Sequence, residues 1–427
     1  MRLLVVGGGG REHALCWALA RENPDATLYC APGNPGTADL ATNLAIAADD
    51  LDRLADAADM QGIDLTIVGP EVPLARGLAD RLRAEGRAVF GPSAAAAQLE
   101  ASKAFSKEVM RAADIPTAAS ETFTDLSSAL AHVDRHAEPL VVKASGLAAG
   151  KGAVVCQTRR EAAQAVRAML ADRALGDAGA TVVIETFLEG EEISVLAVTD
   201  GFDVELLPVS QDHKRLLEGD VGPNTGGMGA YSPVAVATPE VLARAREEVL
   251  LPALEEMRRR QTPYTGVLYA GLMVGGDGTP WVVEFNCRLG DPETQVVLPL
   301  VAGGLTDALW RVAHGETVSP IRRTAEASVT TVLASRGYPD QPERGAAIRI
   351  PSRLPAGVTV FHAGTARDPE GVLRANGGRV LNVTAVAPTF AEARRLSRDA
   401  ADAVEFEGKV FRRDIGWREA ARVAAGA

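Results

Sequence analysis

The chain has 427 residues, of which 47% are hydrophobic and 23% charged, and its formal net charge is −12. This length exceeds one ordinary core and predicts three domains, while the composition is typical of a folded protein and excludes an intrinsically disordered one. The acidic balance disfavours nucleic acid as a partner. The four cysteines are scattered, which disfavours a disulfide framework, and no apolar run approaches the roughly 18–20 residues of a membrane span. We therefore expect a cytoplasmic protein of enzyme size, with no membrane or nucleic-acid partner.

The N-terminal stretch predicts a parallel sheet with helices between its strands. Short apolar runs alternate with helical patterns, and these runs are 3–6, 27–31, 64–68 and 88–90. In such sheets ligands bind beyond the carboxyl ends of the strands, where the following loops converge. Glu71 stands in one of these loops, either as a ligand of a sugar hydroxyl or amine or as a carboxylate facing a helix N-terminus. We predict a Rossmann-like domain over residues 1–101.

A turn of four glycines separates the first apolar run from a helical pattern that opens with Arg11. The free N–H groups of such a turn, together with the helix dipole, attract an anion, so Gly8, Gly9, Gly10 and Arg11 are candidates for binding a phosphate. The alternative ligand is a nicotinamide dinucleotide. Its fingerprint requires a third small residue at position 12, which is Glu12, and this disfavours a dehydrogenase.

A loop rich in lysine and glycine lies in the second third of the chain. Lys143 ends one apolar run, and residues 146–152 connect it to another. The spacing does not match the P-loop, and the loop joins two strands where a P-loop joins a strand to a helix. Such a hairpin could fold over a triphosphate with its N–H groups while Lys143 reaches the phosphates. The next run, 181–186, leads to Glu192 and is compatible with an adenine-binding edge or with an ordinary acidic hairpin.

Polar side chains follow a buried-looking strand in the stretch 282–295. Glu284 and Asn286 are two residues apart, so both leave a strand on the same face and could offer oxygen atoms to one hard cation such as Mg²⁺. Arg288 continues this spacing and could bind a carboxylate or phosphate if the strand extends that far. The alternative is a strand end with capping polar residues.

Changes in the pattern of helical and strand-like segments along the chain predict an α/β and α+β multidomain protein. Helical patterns cover 94–113 and 239–260, and a break at Ile115-Pro116 opens a smaller unit. We predict a second domain over 102–325, with a small subdomain at about 117–188. Residues 326–427 contain alternating strands and one clear helix, which predicts a third, α+β domain.

Taken together, these stretches resemble the ATP-grasp superfamily and, within it, the glycinamide ribonucleotide synthetase family. The resemblance covers essentially the whole chain, and several motifs in one order are specific where any single motif is only suggestive. The motifs are GGREHAL at Gly9, APGNPGT at Ala31, GPEVPL at Gly69, GLAAGKG at Gly146, SQDHKR at Ser210, GPNTGGMGAYSP at Gly222 and EFNCRLGDPETQ at Glu284. The fold that the resemblance implies is an N-terminal Rossmann-like domain, an ATP-grasp domain pair and a C-terminal α+β domain.

The resemblance also implies a reaction. The glycine carboxylate would attack the γ-phosphate of ATP to give glycyl phosphate, and the amine of 5-phosphoribosylamine would then capture the glycyl group. The products would be glycinamide ribonucleotide, ADP and phosphate, a step of purine biosynthesis. Positioning and charge neutralisation matter more to phosphoryl transfer than a covalent nucleophile does, and lysines, N–H groups and Mg²⁺ would supply both.

Roles for particular residues follow from the same resemblance. The side chains that would contact the ATP phosphates are Lys103, Lys143 and Lys214. The loop that would close over them includes Gly146, Gly150, Lys151 and Gly152. Glu185 and Leu188 would border adenine, and Glu192 would bind the ribose hydroxyls. Glu284 and Asn286 would hold Mg²⁺ or Mn²⁺.

For the other two substrates, Asp212 and Arg288 would bind the amine and the carboxylate of glycine. With Lys214 they are the predicted catalytic residues. The residues that would receive phosphoribosylamine are Gly8, Gly9, Gly10, Arg11, Asn34 and Glu71.

Two departures from the family pattern stand out. Ser145 replaces an aspartate after Lys-Ala, and the strand YAGLMV, which precedes the predicted strand of Glu284 and Asn286, lacks an acidic metal ligand. Other hypotheses remain: an ATP-grasp ligase for a different amino acid or amine, and a nucleotide-binding regulatory protein without catalysis.

Overall fold

The N-terminal region is built on a five-stranded parallel sheet. The computed structural model describes residues 1–148 and 152–426. The strands of this sheet lie in the order Thr42–Asn43, Thr27–Pro32, Arg2–Gly7, Leu65–Val68 and Val89–Phe90. All neighbours pair in parallel. The sheet confirms the predicted Rossmann-like arrangement, and the loops after its central strands meet at one edge.

Helices cover both faces of this sheet, which explains why its strands are continuous apolar runs. Leu3 and Val5 pack with Leu15 of the first helix, whereas Leu4 and Val6 face the opposite layer. Alternate residues of a strand point to opposite faces, so every side chain of this strand finds an apolar neighbour. The helices of the region are Gly10–Glu22, Leu51–Met60, Glu71–Ala75, Leu78–Ala84 and Ala94–Ala101, with a 3₁₀ turn at Thr37–Asp39.

The helix predicted over 94–113 is two helices that meet at Ser102. Ser102 leaves the helical backbone conformation, with φ −135° and ψ 106°, and its hydroxyl accepts the N–H of Phe105 at 3.2 Å. A serine hydroxyl that accepts an N–H three residues later caps a helix start. The second helix, Lys103–Ala112, therefore starts in a new direction, with Lys103 as its first residue.

The middle region contains two antiparallel sheets. The smaller has the order Ser120–Phe123, Val182–Thr186, Leu140–Ala144 and Ala153–Cys156, and helices Leu126–Val133 and Arg159–Leu170 cover its apolar face. The larger has the order Val204–Leu206, Glu191–Thr199, Gly266–Val274 and Pro280–Asn286. The carbonyl of Val283 accepts a hydrogen bond from the Lys143 ammonium at 2.8 Å, so the two sheets meet beside these residues.

The long helix predicted over 239–260 contains an irregular central turn. It runs as Pro239–Arg244, a wide π-type turn Ala245–Leu250, and Leu251–Arg259. Pro252 lacks the N–H that a regular helix would donate to residue 248, and this missing bond accounts for the wide turn before it.

The C-terminal sheet takes strands from both sides of residue 326. Its path is Gln211–Asp212, Gly229–Ser232, Ala327–Ser335, Arg379–Ala387 and Val358–His362, with Lys409–Val410 pairing with Ala327–Ser335 at one end. The first two strands come from the predicted second domain. The sheet therefore ties residues 211–232 to the C-terminal region, and helix Phe390–Ala403 packs against three of its strands.

Short elements complete the chain. The remaining strands are Arg215–Leu217 with Val221–Asn224, Val301–Gly303 with Arg322–Arg323, and Thr365–Arg367 with Leu373–Ala375. The remaining helices are Thr294–Val297, Leu305–Ala313 and Trp417–Gly426, with 3₁₀ turns at Gly176–Gly179, Glu218–Asp220 and Leu298–Leu300. Over the described residues, every helix is too short or too polar to span a bilayer.

Candidate active site

A cavity of about 500 Å³ lies where the three regions of the chain meet. Its size is typical of small-molecule sites. Arg11 and Glu71 enter its wall from the N-terminal region and Arg379 from the C-terminal region, while the middle region supplies most of the remaining wall. The predicted site residues in this wall are Arg11, Glu71, Lys103, Lys143, Gly152, Glu185, Leu188, Glu192, Asp212, Lys214, Glu284, Asn286 and Arg288.

One part of the wall is a buried cluster of two lysines and a carboxylate. Lys143 Nζ lies 2.9 Å from Glu185 Oε2, and Lys107 Nζ lies 3.1 Å from Glu185 Oε1. Burial lowers the pKa of Lys107 to about 8, and the Glu185 carboxylate opposes this shift. Both Glu185 oxygens therefore face ammonium groups, and the carboxylate orients Lys143 at the cavity wall.

Lys107 was not among the residues predicted from the sequence, although its spacing from Lys103 carried a signal. Residues four apart lie on the same face of a helix. Lys103 and Lys107 therefore both point toward the cavity from helix Lys103–Ala112, and both line it.

Ser145 joins the glycine-rich loop to the start of this helix. The Ser145 carbonyl accepts the Lys103 N–H at 2.8 Å, and its hydroxyl accepts the Ala104 N–H at 3.1 Å. Position 145 thus carries a neutral side chain in place of a carboxylate, and the two hydrogen bonds of Ser145 fix the backbone at the start of the helix that carries Lys103.

Gly146 and Gly152 flank the segment predicted to close over a nucleotide. The Gly146 N–H donates to the Ala178 carbonyl at 3.0 Å, and a Cβ at Gly146 would lie only 2.6 Å from Ala178 Cα. Gly152 lines the cavity. The predicted residues Gly150 and Lys151 lie outside the described residues.

A second cluster combines Lys214 with three carboxylates. Lys214 forms an ion pair with Glu192. Burial opposes the charge of Lys214, but Glu192, Asp212 and Glu284 outweigh it and hold the pKa of Lys214 well above its usual range. Burial raises the pKa of Asp212 to about 8; Lys214 opposes this shift, whereas Glu293 and Glu192 add to it. This end of the cavity holds more carboxylates than cations, so it favours a bound cation or amine.

Glu284 and Asn286 lie at the end of strand Pro280–Asn286, and both line the cavity. Burial raises the pKa of Glu284, but Lys214, Lys103 and Lys143 outweigh it and lower that pKa below its usual value. Glu284 is therefore ionised, and its carboxylate is a hard oxygen donor.

Arg288 lies beyond the strand end and is held by acidic groups. Its Nε lies 3.3 Å from Glu71 Oε2 and its Nη2 lies 3.0 Å from Glu100 Oε1. Arg288 Nη2 also donates to Asn286 Oδ1 at 3.3 Å. Burial disfavours the charge of Arg288, yet Glu100 and Glu71 raise its pKa. The guanidinium is therefore fixed beside the Glu284 and Asn286 pair.

Glu100 is a site residue that the sequence analysis missed. Its Oε2 accepts the Cys287 N–H at 2.8 Å and its Oε1 contacts Arg288, so it holds both the backbone and a side chain of the segment after strand Pro280–Asn286. It lies in the alanine-rich helix Ala94–Ala101, where one glutamate carries no recognisable signal.

Glu293 and Arg379 were missed as well. Glu293 lies within the EFNCRLGDPETQ motif, and its Oε1 accepts the Tyr269 hydroxyl at 2.8 Å. Arg379 Nη1 donates to the carbonyls of Gly226 and Asp291 at 2.5 and 2.7 Å. The position of Glu293 in a recognised motif was a usable signal, whereas Arg379 lies in a region with few polar clusters.

The glycine turn directly precedes the cavity residue Arg11 in the chain. Among the described residues, Gly8, Gly9 and Gly10 are not part of the cavity wall. The Gly9 N–H donates to Glu12 Oε2 at 2.7 Å, and a Cβ at Gly10 would lie 2.4 Å from the Asn382 amide. The turn is therefore packed closely against protein atoms on these sides.

Asn34 and Arg11 are bound by protein groups near this turn. The Asn34 amide nitrogen donates to the carbonyls of Gly8 and His362 at 3.0 and 2.9 Å, and its oxygen accepts the Gly36 N–H at 2.8 Å. Both ends of this amide thus connect loops of the protein. Arg11 reaches the cavity, with its Nε 2.5 Å from the carboxylate of the neighbouring Glu12.

Comparison with family models gives matches to three domains of one enzyme family. The N domain of phosphoribosylglycinamide synthetase matches residues 1–100, its ATP-grasp (A) domain matches residues 101–294, and its C domain matches residues 328–418. Together the three matches extend over most of the chain in the order of that family.

Individual relatives are similar over the full length. The phosphoribosylamine–glycine ligase of Ralstonia nicotianae is 50% identical over 423 residues, which cover 98% of this chain and 99% of that protein. The ligase of the same name from Chlorobaculum tepidum is 49% identical, covering 97% of this chain and 99% of the relative. The crystal structure of phosphoribosylamine–glycine ligase from Thermotoga maritima superposes with a TM-score of 0.86 at 34% identity, covering 97% of this chain and 100% of that one.

Proposed function

Since the chain belongs to the phosphoribosylglycinamide synthetase family, we propose that the cavity between its three regions is the active site of its reaction. The chain is an ADP-forming carbon–nitrogen ligase that joins glycine to phosphoribosylamine with ATP, in purine biosynthesis. The observation that carries the proposal is the convergence of Lys103, Lys143 and Lys214 with Glu284 and Asn286 on one cavity.

In the proposed mechanism a carboxylate oxygen of glycine attacks the γ-phosphorus of ATP, and the bond from that phosphorus to the ADP oxygen breaks. The resulting glycyl phosphate is attacked at its carbonyl carbon by the amine of phosphoribosylamine, and phosphate leaves as the amine loses a proton. An acyl phosphate hydrolyses in water, so a loop that covers the site protects it. Residues 146–152 are our candidate for that loop.

We assign the nucleotide to the wall lined by lysines. Lys103, Lys143 and Lys214 neutralise phosphate charge, as phosphoryl transfer requires. Glu185 fixes Lys143 by their contact of 2.9 Å. Leu188 borders the adenine and, with Glu185, forms that part of the cavity wall. Glu192 stands next to Lys214 and accepts the ribose hydroxyls.

ATP-grasp enzymes use ATP with a divalent metal ion, and Glu284 with Asn286 fit such an ion. One ionised carboxylate and one amide oxygen are hard donors, and Mg²⁺ characteristically takes few protein ligands and completes its shell with phosphates and water. The described residues contain no cluster of three or more acidic, histidine or cysteine side chains suited to a metal ion. We propose Mg²⁺ or Mn²⁺ here; when bound, it would neutralise charge on the transferred phosphoryl group.

We assign the other substrates to the remaining polar residues of the cavity wall. Asp212, in its carboxylate-rich surroundings, binds the amine of glycine, and Arg288 binds the glycine carboxylate. Phosphoribosylamine lies toward the N-terminal region, with Arg11 and Glu71 reaching it in the cavity wall. Gly8 to Gly10 and Asn34, which do not line the cavity, then support this subsite through their contacts with neighbouring loops.

Other features of the proposal concern the whole chain. We propose domain boundaries of 1–101, 102–325 and 326–427, with strands 211–212 and 229–232 shared with the third domain. The scattered cysteines and the net charge of −12 support a cytoplasmic protein without a nucleic-acid partner.

The test is ADP formation by the purified protein with Mg²⁺ and ATP, with glycine and phosphoribosylamine supplied singly and together, and with the product identified by mass. Turnover that needs both substrates and gives the mass of glycinamide ribonucleotide supports the proposal. Glu284→Gln should lower this turnover at least about a hundredfold, since it removes the charged metal ligand. Asp277→Asn, at an exposed carboxylate in the turn of the hairpin that carries Glu284, is the matched control. An unchanged rate for Glu284→Gln would overturn the metal assignment.

A further inference from the structure

A hairpin follows Lys214, and a residue at the end of this hairpin binds the Lys214 carbonyl. Strand Arg215–Leu217 pairs with Val221–Asn224 to form this hairpin. The Lys214 carbonyl accepts the N–H of Thr225 at 2.7 Å and its hydroxyl at 2.9 Å. The two residues that flank Lys214 are held by a different part of the chain.

Arg412, almost 200 residues away, holds the residue after Lys214. Its side chain is 1% exposed, and its Nη1 donates to the Arg215 carbonyl at 3.0 Å and to Asp220 Oδ1 at 2.8 Å. Its Nε and Nη2 donate to the two oxygens of Asp414 at 2.8 and 2.7 Å. This forked pairing needs the planar guanidinium, which a lysine does not replace. One buried side chain thus joins the hairpin to the segment after the C-terminal sheet.

His213 is held on the other side of Lys214. Its ring Nε2 accepts the N–H of Gly416 at 2.8 Å, and the ring is buried. Its backbone N–H donates to the Gly229 carbonyl at 2.9 Å, and its carbonyl accepts the Met228 N–H at 2.8 Å. Burial lowers the pKa of His213, so the ring is neutral and can accept a hydrogen bond.

The C-terminal segment that contacts His213 and Arg215 also contacts the strand of Glu192, the ion-pair partner of Lys214. Glu192 forms the ion pair with Lys214 at the cavity, while its neighbour Glu191 pairs with Arg422 of the last helix. Neighbouring residues of a strand point to opposite faces, so Arg422 holds the strand from behind. Residues 412–422 therefore contact the residues on both sides of Lys214 and the residue next to Glu192.

We propose that residues 412–422 are a positioning element for Lys214, and that His213 and Arg412 are positioning residues for phosphoryl transfer. A lysine side chain has four flexible torsions, so its ammonium reaches a defined point only if its backbone is fixed. Here the backbone is fixed on both sides, and Glu192 directs the side chain. This inference rests on the proposed role of Lys214 in binding ATP phosphates.

His213→Leu tests the element, because leucine fills the space and cannot accept the Gly416 N–H. His213→Gln is its conservative partner, since a glutamine oxygen can take the place of Nε2. We expect His213→Leu to lower kcat/KM for ATP on the order of tenfold to a hundredfold, the size of effect that small misplacements produce. The KM for phosphoribosylamine should stay unchanged, and His213→Gln should restore most of the loss. Thr389→Ala removes a helix cap in the same region without touching the hairpin, so it controls for lost stability.

A double-mutant cycle with Lys214→Met decides whether His213 acts through Lys214. The dissociation constant of ATP is the readout, because it can be measured in inactive variants. His213→Leu should weaken ATP binding in the wild-type background and cause no further weakening in the Lys214→Met background. Equal losses in both backgrounds, or a His213→Gln variant as impaired as His213→Leu, would overturn the positioning role alone. ATP binding unchanged by Lys214→Met would overturn the phosphate role of Lys214 itself.

Discussion

Replacing Glu185 with Gln leaves two buried lysines without their shared carboxylate. The Glu185 oxygens lie 2.9 Å from Lys143 Nζ and 3.1 Å from Lys107 Nζ, and these side chains are no more than 5% exposed. Removing one partner of a buried ion pair costs about 3–5 kcal/mol of folding free energy. Lys107 limits the cost: with Glu185 in place its pKa is about 8, so losing its proton at pH 7 costs about 1.4 kcal/mol, and it costs less once that carboxylate is gone. We expect a loss at the lower end of the range, about 3 kcal/mol at pH 7.

This loss should shrink as the pH rises. Burial lowers the pKa of Lys107 to about 8, whereas an unfolded lysine has a pKa of about 10.4. Between these two values the unfolded chain binds more protons at this residue, so its contribution makes the folded chain more stable as the pH rises. At about pH 9 the wild-type Lys107 is mostly neutral and attracts Glu185 weakly. Replacing Glu185 at this pH therefore removes less ion-pair energy than it does at pH 7.

The measurement is urea unfolding followed by tryptophan fluorescence at about pH 7 and about pH 9. Glu121→Gln is the matched control, since Glu121 is an exposed carboxylate on the strand paired with Val182–Thr186. A loss at pH 7 as small as that of the control would refute the reasoning. So would an equal loss at both pH values, because it would mean that Lys107 does not adjust its charge.

Two further predictions concern the other end of the cavity. Burial raises the pKa of Asp212 to about 8, and Glu293 and Glu192 add to this shift. Between about pH 4 and pH 8 the folded chain therefore binds more protons at Asp212 than the unfolded chain does, so the protein loses stability as the pH rises. Asp212→Asn should therefore gain stability relative to wild type from about pH 5 to about pH 8.5 in urea unfolding, and a constant difference would contradict this. Glu100→Gln should cost about 3 kcal/mol and Glu71→Gln about 1 kcal/mol, because Glu100 is the more buried partner of Arg288 and makes the shorter contact. Equal losses in thermal unfolding would show that burial does not set the difference.

Local patterns predicted much of the fold. The parallel N-terminal sheet followed from apolar runs ending in glycine turns, because strands covered on both faces are apolar throughout. The polar residues of the cavity followed from motifs in which several functional side chains stand within a few positions. Glu284 and Asn286 are an example, since their two-residue spacing already places both on one face of a strand.

Residues that reach the cavity from distant elements could not be found in this way. Glu100 interacts with Arg288 across almost 190 positions, and its helix has no pattern that sets it apart. The pairing of Gly229–Ser232 with Ala327–Ser335 is equally non-local, because each strand alone is compatible with either sheet. Ser102 is a different case, because serine is a recognisable helix-start residue in a sequence. Its hydroxyl accepts the N–H of Phe105, so a new helix starts there, and the prediction of one continuous helix was wrong.

The C-terminal sheet has a consequence for how this protein can be divided. Gly229–Ser232 fills an interior place between Gln211–Asp212 and Ala327–Ser335. A truncated chain that stops near residue 325 would leave it with an open edge of unpaired N–H and C=O groups, and such edges recruit other chains. A fragment that starts near residue 326 would carry the complementary open edge. Modular exchange with relatives should therefore move residues 211–232 and the C-terminal region as one unit, although about a hundred residues separate them in the sequence.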